Sequence, residues 1–270
     1  MEFNLAFLFL SWLCVSAATV LGAWEWAALV RALYIEFDLM QGIRASLFSN
    51  LAKYIPGFIW SYVGKAYGAA RLGVPNSVAG LSVVLELGIV YISGFLLMLI
   101  SIPFSGFLSL PCQQRWFVQI IMIPLVAIVF VKLYKMGQLL LKRLKKQESG
   151  YLISINIDWN RITMVFVAVL LTWGLLGLGF GFLVASITTF DWYWLPRLMF
   201  SMITALLLGQ VAFFVPMGIG VREAVFITML QPVAHPSLIV IMALAFRLES
   251  LIGEVFVASL GYISGRLCSK

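Results

Sequence analysis

Charge is the first thing this chain is short of. Asp, Glu, Lys and Arg together make up 11% of its 270 residues and hydrophobic residues 63%, against roughly 25% and 45–50% in ordinary soluble domains. A soluble core has no use for that much apolar surface. There is one histidine, His235, set between Pro232 and Pro236, and three cysteines, Cys14, Cys112 and Cys268. None forms a CxxC pair or a Cys/His cluster, so neither a disulfide framework nor a zinc site can be read. The phosphate-binding pattern GxxxxGK[ST] is missing, which excludes a P-loop ATPase. No hydrophilic domain interrupts the apolar sequence. No Lys or Arg precedes Arg31, so the run from Met1 to about Val30 reads as a retained membrane helix; a signal peptide cleaved around Ser16 to Ala18 is the alternative.

What charge there is sums to +7 and gathers at the ends of apolar segments. That placement suits anionic lipid headgroups and the bias of basic residues toward the cytoplasmic face, and it argues against nucleic acid as a partner. The densest cluster is Lys132, Lys135, Lys142, Arg143, Lys145 and Lys146, followed by Arg161. It marks residues 132–161 as a cytoplasmic loop and predicts Arg31, Arg44 and Arg71 on the same side. The Asp191-Trp192-Tyr193-Trp194 segment then falls at the opposite interface, where aromatic rings anchor.

A helix needs about 20 apolar residues to cross the hydrocarbon, and backbone exposed to lipid must satisfy its own hydrogen bonds. On that test the chain is all-α, one transmembrane domain over residues 1–270, with five spans at about 4–30, 78–102, 117–136, 162–187 and 195–215 and a sixth at about 237–264. Two further stretches reach membrane depth but are broken. The first, about 42–71, breaks at Pro56-Gly57, and the second, about 206–234, at Pro216-Met217-Gly218-Ile219-Gly220. Proline removes a backbone donor and glycine relaxes the chain, so each stretch predicts a re-entrant hairpin, with a kinked span or an interfacial helix as the alternative. Each is followed by a span bearing carboxylates. Such paired interruptions are what a transporter built of two related halves would show.

Ionisable groups at this depth cost roughly 2.5–3.5 kcal/mol each and are therefore paired, functional or both. Lys53, Lys65, Glu86, Arg222, Glu223, Arg247, Glu249 and Glu254 are the candidates. Arg247 and Glu254 are seven apart and share a helix face, whereas Glu249 points elsewhere. They read either as a binding site or as an ion-pair network that only holds the bundle together. A half-helix starting after Gly218 and Gly220 would aim unpaired N–H groups at the break, where Arg222 adds a fork of donors. With Lys53 ahead of Gly57 and Lys65 beyond it, two cationic breaks predict an anion site whose backbone part is Gly57, Gly218 and Gly220, suited to a phosphate or phosphodiester headgroup. Trp60, Tyr62 and Tyr67 would line a headgroup cleft or serve as interfacial anchors. Gly177 and Gly181 have the spacing of a close helix contact.

Asn50-Leu-Ala-Lys53-Tyr-Ile-Pro56-Gly57, Gly64-Lys65-Ala66-Tyr67, Leu85-Glu86, the break from Pro216 to Glu223 and Arg247-Leu-Glu249 together resemble the lysylphosphatidylglycerol synthase transmembrane region family. The likeness runs from about Trp12 onward. It implies a flippase-like membrane domain in a bacterial or archaeal inner membrane, moving lipids or lipid-linked headgroups between leaflets. It also implies Lys53, Arg222, Glu223, Arg247 and Glu249 as the positions to test. The aminoacyl-transferase domain of the bifunctional synthases is absent, so lysyl transfer does not carry over, and the chain starts one helix later than typical members. The expectation is a translocase of a phosphate-bearing lipid, with anionic or polyprenyl-phosphate lipids, glycan- or lipid-synthesis enzymes and further copies of the chain as partners, and no cofactor or metal. The alternatives are a membrane enzyme acting on a lipid phosphate through Glu223 or Glu249, and a scaffold that moves nothing.

Overall fold

The computed structural model describes residues 4–55, 59–101, 158–189, 191–212 and 218–268, and of residues 211 and 265–268 the backbone alone. Every regular element among them is helical. We number the helices α1 (Leu5–Leu33), α2 (Leu39–Leu51), α3 (Trp60–Arg71), α4 (Asn76–Ser101), α5 (Trp159–Ile187), α6 (Leu195–Val211), α7 (Val221–Leu230) and α8 (Pro236–Cys268). The segments read as a third span at 117–136 and as the basic loop lie almost wholly outside the described residues, as do Pro56-Gly57 and Pro216-Met217.

Three helices, α1, α4 and α5, are long and apolar enough to cross a membrane, with mean hydropathy of 2.1, 2.4 and 2.2 over their most apolar stretches. The bundle turns large apolar side chains outward along several of its helices, among them Val84 (60% exposed), Leu171 (59%) and Leu248 (63%). Water would penalise such a surface and lipid would not. Together these features point to a membrane protein.

Helix starts are fixed by side-chain caps. The Asn4 side chain accepts from the Ala6 backbone N–H at 3.1 Å, and the Asp38 carboxylate accepts from Met40 and Gln41 at 2.8 and 3.1 Å. Asp158 accepts from Arg161 N–H at 3.2 Å and pairs with its guanidinium at 3.0 Å. Each satisfies a donor that the first turn leaves unpaired.

Helices α1 and α5 run antiparallel over their 29 residues each. The N–H of Asn4 donates to Ser186 O at 3.0 Å at one end, and Asp158 N–H to Ala32 O at 3.4 Å at the other. Glycines set how closely α5 is approached. A Cβ on Gly179 would touch Cys14 and Val15 of α1, and Cβ atoms on Gly177 and Gly181 would run into Met199 and Leu195 of α6. The small-residue spacing therefore serves one neighbour, and the glycine between serves the other. Lipid tails are as apolar as leucine, so close packing of this kind, rather than expulsion of apolar surface, holds such helices together.

Two shorter helix pairs sit beside this frame. In α2–α3, Gly64 packs on Ser49 and Gly68 on Ala45, which makes the pair antiparallel. In α6–α7, Gly218 lies against the Gly209 backbone, while the Arg197 Nε–H donates to Met229 O at 2.7 Å. That pair is antiparallel too, and α6, over Leu195–Val211, covers most of the stretch read as a span at about 195–215. Helix α8 closes the bundle. Its Phe246 meets Phe180 of α5 edge-on, and its Val257 and Ala258 pack with Ala23 of α1 and Leu47 of α2.

Candidate functional site

Six elements from along the whole chain bring their charged side chains to one cavity of about 290 Å³. The turn after α2 supplies Lys53, α3 supplies Lys65, α4 supplies Glu86 and α7 supplies Arg222 and Glu223; α8 adds Arg247 and Glu254, and α1 adds Glu25. Seven of the eight charged side chains read from the sequence thus meet.

Most of them are paired. Lys53 is ion-paired with Glu254, whose other oxygen accepts from the Tyr54 hydroxyl at 3.1 Å. Lys65 lies 2.5 Å from Glu86 Oε1, with both side chains largely buried. Arg247 lies 3.2 Å from Glu223. Two of these pairs join a short helix pair to the long helix that follows it: Lys65 of α3 to Glu86 of α4, and Glu223 of α7 to Arg247 of α8. The third, Lys53–Glu254, ties the first short pair across to α8.

Arg222 has no carboxylate within ion-pairing distance among the described residues, and its buried Nε has no hydrogen-bond partner. Its position is set by glycine. A Cβ on Gly209 would stand 2.6 Å from Arg222 Nε, and one on Gly218 would stand 2.7 Å from the Gly209 backbone. Gly218 and Gly220 hold φ of +65° and +85°, a conformation that other residues adopt only with strain. The glycines of the break thus let the chain turn at Gly218 and Gly220, and Gly209 and Gly218 let two backbones and a guanidinium share one place.

Two expected roles do not match the geometry. The Gly220 N–H donates to the Glu223 carboxylate at 2.6 Å, so the start of α7 is capped by its own third residue and this donor is not offered to a ligand. Glu249 is turned away from the cavity. It is 7% exposed, between α8, α1 and α5, with Oε2 2.9 Å from Ser11 Oγ, which itself lies 2.7 Å from Gly179 O. The cause is helical register: Arg247 and Glu254 occupy the cavity face, and two residues beyond Arg247 lies the other side of α8. Gly57 lies outside the described residues. Of the aromatic candidates, Tyr62 lines the cavity, whereas Trp60 and Tyr67 are 52% and 61% exposed.

Glu25 was not among the residues singled out from the sequence. It is 6% exposed, lines the cavity, and accepts from the Thr172 hydroxyl at 2.5 Å. The signal was there: a carboxylate between Trp24 and Trp26, inside the first apolar run, carries the same insertion cost as the others.

No family model matches the chain, and no curated protein matches it.

Proposed function

We propose that the chain is a lipid translocase that takes a phosphate-bearing headgroup into the cavity while the acyl or polyprenyl tails stay in lipid. The single observation that carries this reading is Arg222: a half-buried arginine whose buried Nε has no partner and which has no carboxylate within ion-pairing distance, in a cavity where Lys53, Lys65 and Arg247 each have one. A buried charge left unpaired is costly, and a phosphate oxygen is the partner whose geometry a guanidinium matches best. The wall around Arg222 holds three cations, Lys53, Arg222 and Arg247, to two carboxylates, Glu223 and Glu254. A monoanion balances it.

The short helices support the same reading. At 1.5 Å per residue, α2, α3 and α7, of 13, 12 and 10 residues, are roughly 15–20 Å long. None crosses a hydrocarbon core of about 30 Å. The fold proposed is therefore six spans, namely α1, α4, the segment at 117–136, α5, α6 and α8, with α2–α3 as one re-entrant hairpin and α7 as the returning arm of the other. Non-helical backbone at such depth is tolerated where it borders a polar cavity, and Lys53 and Arg222, beside the two interruptions, both line this one. The membrane proposed is an inner (plasma) membrane, and the bias of Lys and Arg toward the cytoplasmic face supports a cytoplasmic basic loop. The likeness to the lysylphosphatidylglycerol synthase transmembrane region is of the same kind. An enzyme using Glu223 or Glu249 as base has less in its favour, because the first is held by Gly220 N–H and Arg247 and the second faces away from the cavity.

The test is reconstitution into liposomes with tail-labelled phospholipids and polyprenyl-phosphate sugars, following the label's access to a membrane-impermeant quencher. Wild type moves at least one phosphate-bearing lipid and Arg222→Ala, folded to the same melting temperature, does not. If wild type moves none, or the variant moves all equally well, the reading fails.

A further inference from the structure

The wall opposite Arg222 carries the reverse imbalance. Glu25 of α1 and Glu86 of α4 face a single lysine, Lys65, so two carboxylates share one ammonium. Lys65 is committed to Glu86 Oε1 at 2.5 Å, while Glu86 Oε2 is buried without a hydrogen-bond partner. Glu25 has only the Thr172 hydroxyl on it, with no Lys or Arg nitrogen of the described residues within 4.0 Å. Beside these groups the cavity is lined by the rings of Tyr62 and Trp173, and aromatic faces attract an ammonium.

From this we infer that Glu25, with the free oxygen of Glu86, forms a second subsite that receives an ammonium group. The occupant of the cavity is then a phosphate–ammonium zwitterion, its phosphate toward Arg222 and its ammonium toward Glu25. One cation and one carboxylate are left over when the three ion pairs are drawn, and they stand on different walls of the same space; a single zwitterion satisfies both, and a simple anion satisfies one. A cavity of about 290 Å³ is at the small end of ligand sites, which fits a headgroup and not a whole lipid. The inference rests on the translocase reading only for the occupant's being a lipid, since the charges would select the same headgroup free in solution.

Binding therefore tests it without any transport. Detergent-purified full-length chain is titrated calorimetrically with glycerophosphoethanolamine and with glycerophosphoglycerol, which share the phosphodiester and differ in the ammonium. Wild type binds the first about tenfold more tightly, the worth of one charge-assisted contact. Glu25→Gln, which keeps an oxygen for Thr172, loses that preference without losing affinity for glycerophosphoglycerol, which a carboxylate only repels, and Glu25→Asp keeps part of the preference. Arg222→Ala weakens both ligands alike. Equal binding of the two by wild type, binding of neither, or a preference that survives Glu25→Gln overturns the subsite. Lipid movement can fail in liposomes while the binding preference stands, and the reverse, so the two readings fall separately.

Discussion

Arg222 lies across the bare face of Gly209, so closely that a single methyl group on Gly209 would stand 2.6 Å from its Nε. A glycine of α6 thus fixes where the cation of α7 can go. The shape of this cavity depends on a missing side chain as much as on those present.

Two substitutions separate packing from backbone strain. Gly209→Ala forces the guanidinium aside, and overpacking of that kind costs about 1–3 kcal/mol. Gly218→Ala meets the Gly209 backbone at 2.7 Å and must also hold φ at +65°, which adds strain of about 1–3 kcal/mol. Thermal unfolding in detergent should rank Gly218→Ala as the less stable. In the lipid-movement assay Gly209→Ala should lose activity beyond what its melting temperature explains.

The pair Lys65–Glu86 is the best buried of the ion pairs in the cavity, with side chains 6% and 14% exposed. Removing one partner leaves the other as an uncompensated charge, so Lys65→Met and Glu86→Gln should each cost about 3–5 kcal/mol, and the double variant less than either. For Lys53–Glu254 the lysine is 31% exposed, and solvent near it should make the same cycle give a smaller coupling. Denaturant unfolding of the two cycles side by side measures the difference.

Asp38 offers a pH test outside the spans. The backbone N–H of Gln41, then those of Met40 and the Gln41 side chain, hold its carboxyl below the ordinary aspartate value of 3.8. A carboxyl depressed on folding stabilises above its unfolded pKa, and that contribution is lost as pH falls through the folded value. Asp38→Ala should therefore cost about 1 kcal/mol at neutral pH, as N-cap removals do. Its deficit against wild type should shrink below about pH 3.8, whereas Asp38→Asn should remain close to wild type throughout. Melting temperatures across that range give the answer.

Glu249 separates the site from its surroundings. Because it faces Ser11 and not the cavity, Glu249→Gln should leave headgroup affinity within about twofold of wild type, well under the tenfold that 1.4 kcal/mol represents. A calorimetric titration that shows a larger loss would mean that the face assignment along α8 is wrong.

Much of this was legible in advance. The long apolar runs located α1, α4 and α5, because length against the bilayer is a one-dimensional property. Helical spacing placed Arg247 and Glu254 on one face and Glu249 on another. What the spacing could not give is which charge meets which: Lys53 and Glu254 are 201 positions apart, and only the folding of α2 against α8 joins them. Glu25 was hidden by its own context, since the apolar run around it reads as a span whether or not it contains one carboxylate. The capping of α7 was readable as Gly220-Val-Arg-Glu223, with glycine where a capping box has Ser or Thr. The anion-site reading of the same glycines competed with it, and the carboxylate three residues on occupies the donor first.

In the function proposed, Arg222 holds the phosphate of a headgroup. A structure of the full chain in nanodiscs containing phosphatidylethanolamine and phosphatidylglycerol tests it most directly. The expected result is density for a phosphate within hydrogen-bonding distance of the Arg222 guanidinium, with tails leaving the cavity between helices. A lipid-free cavity in which Arg222 pairs with Glu223 or Glu254 would contradict it.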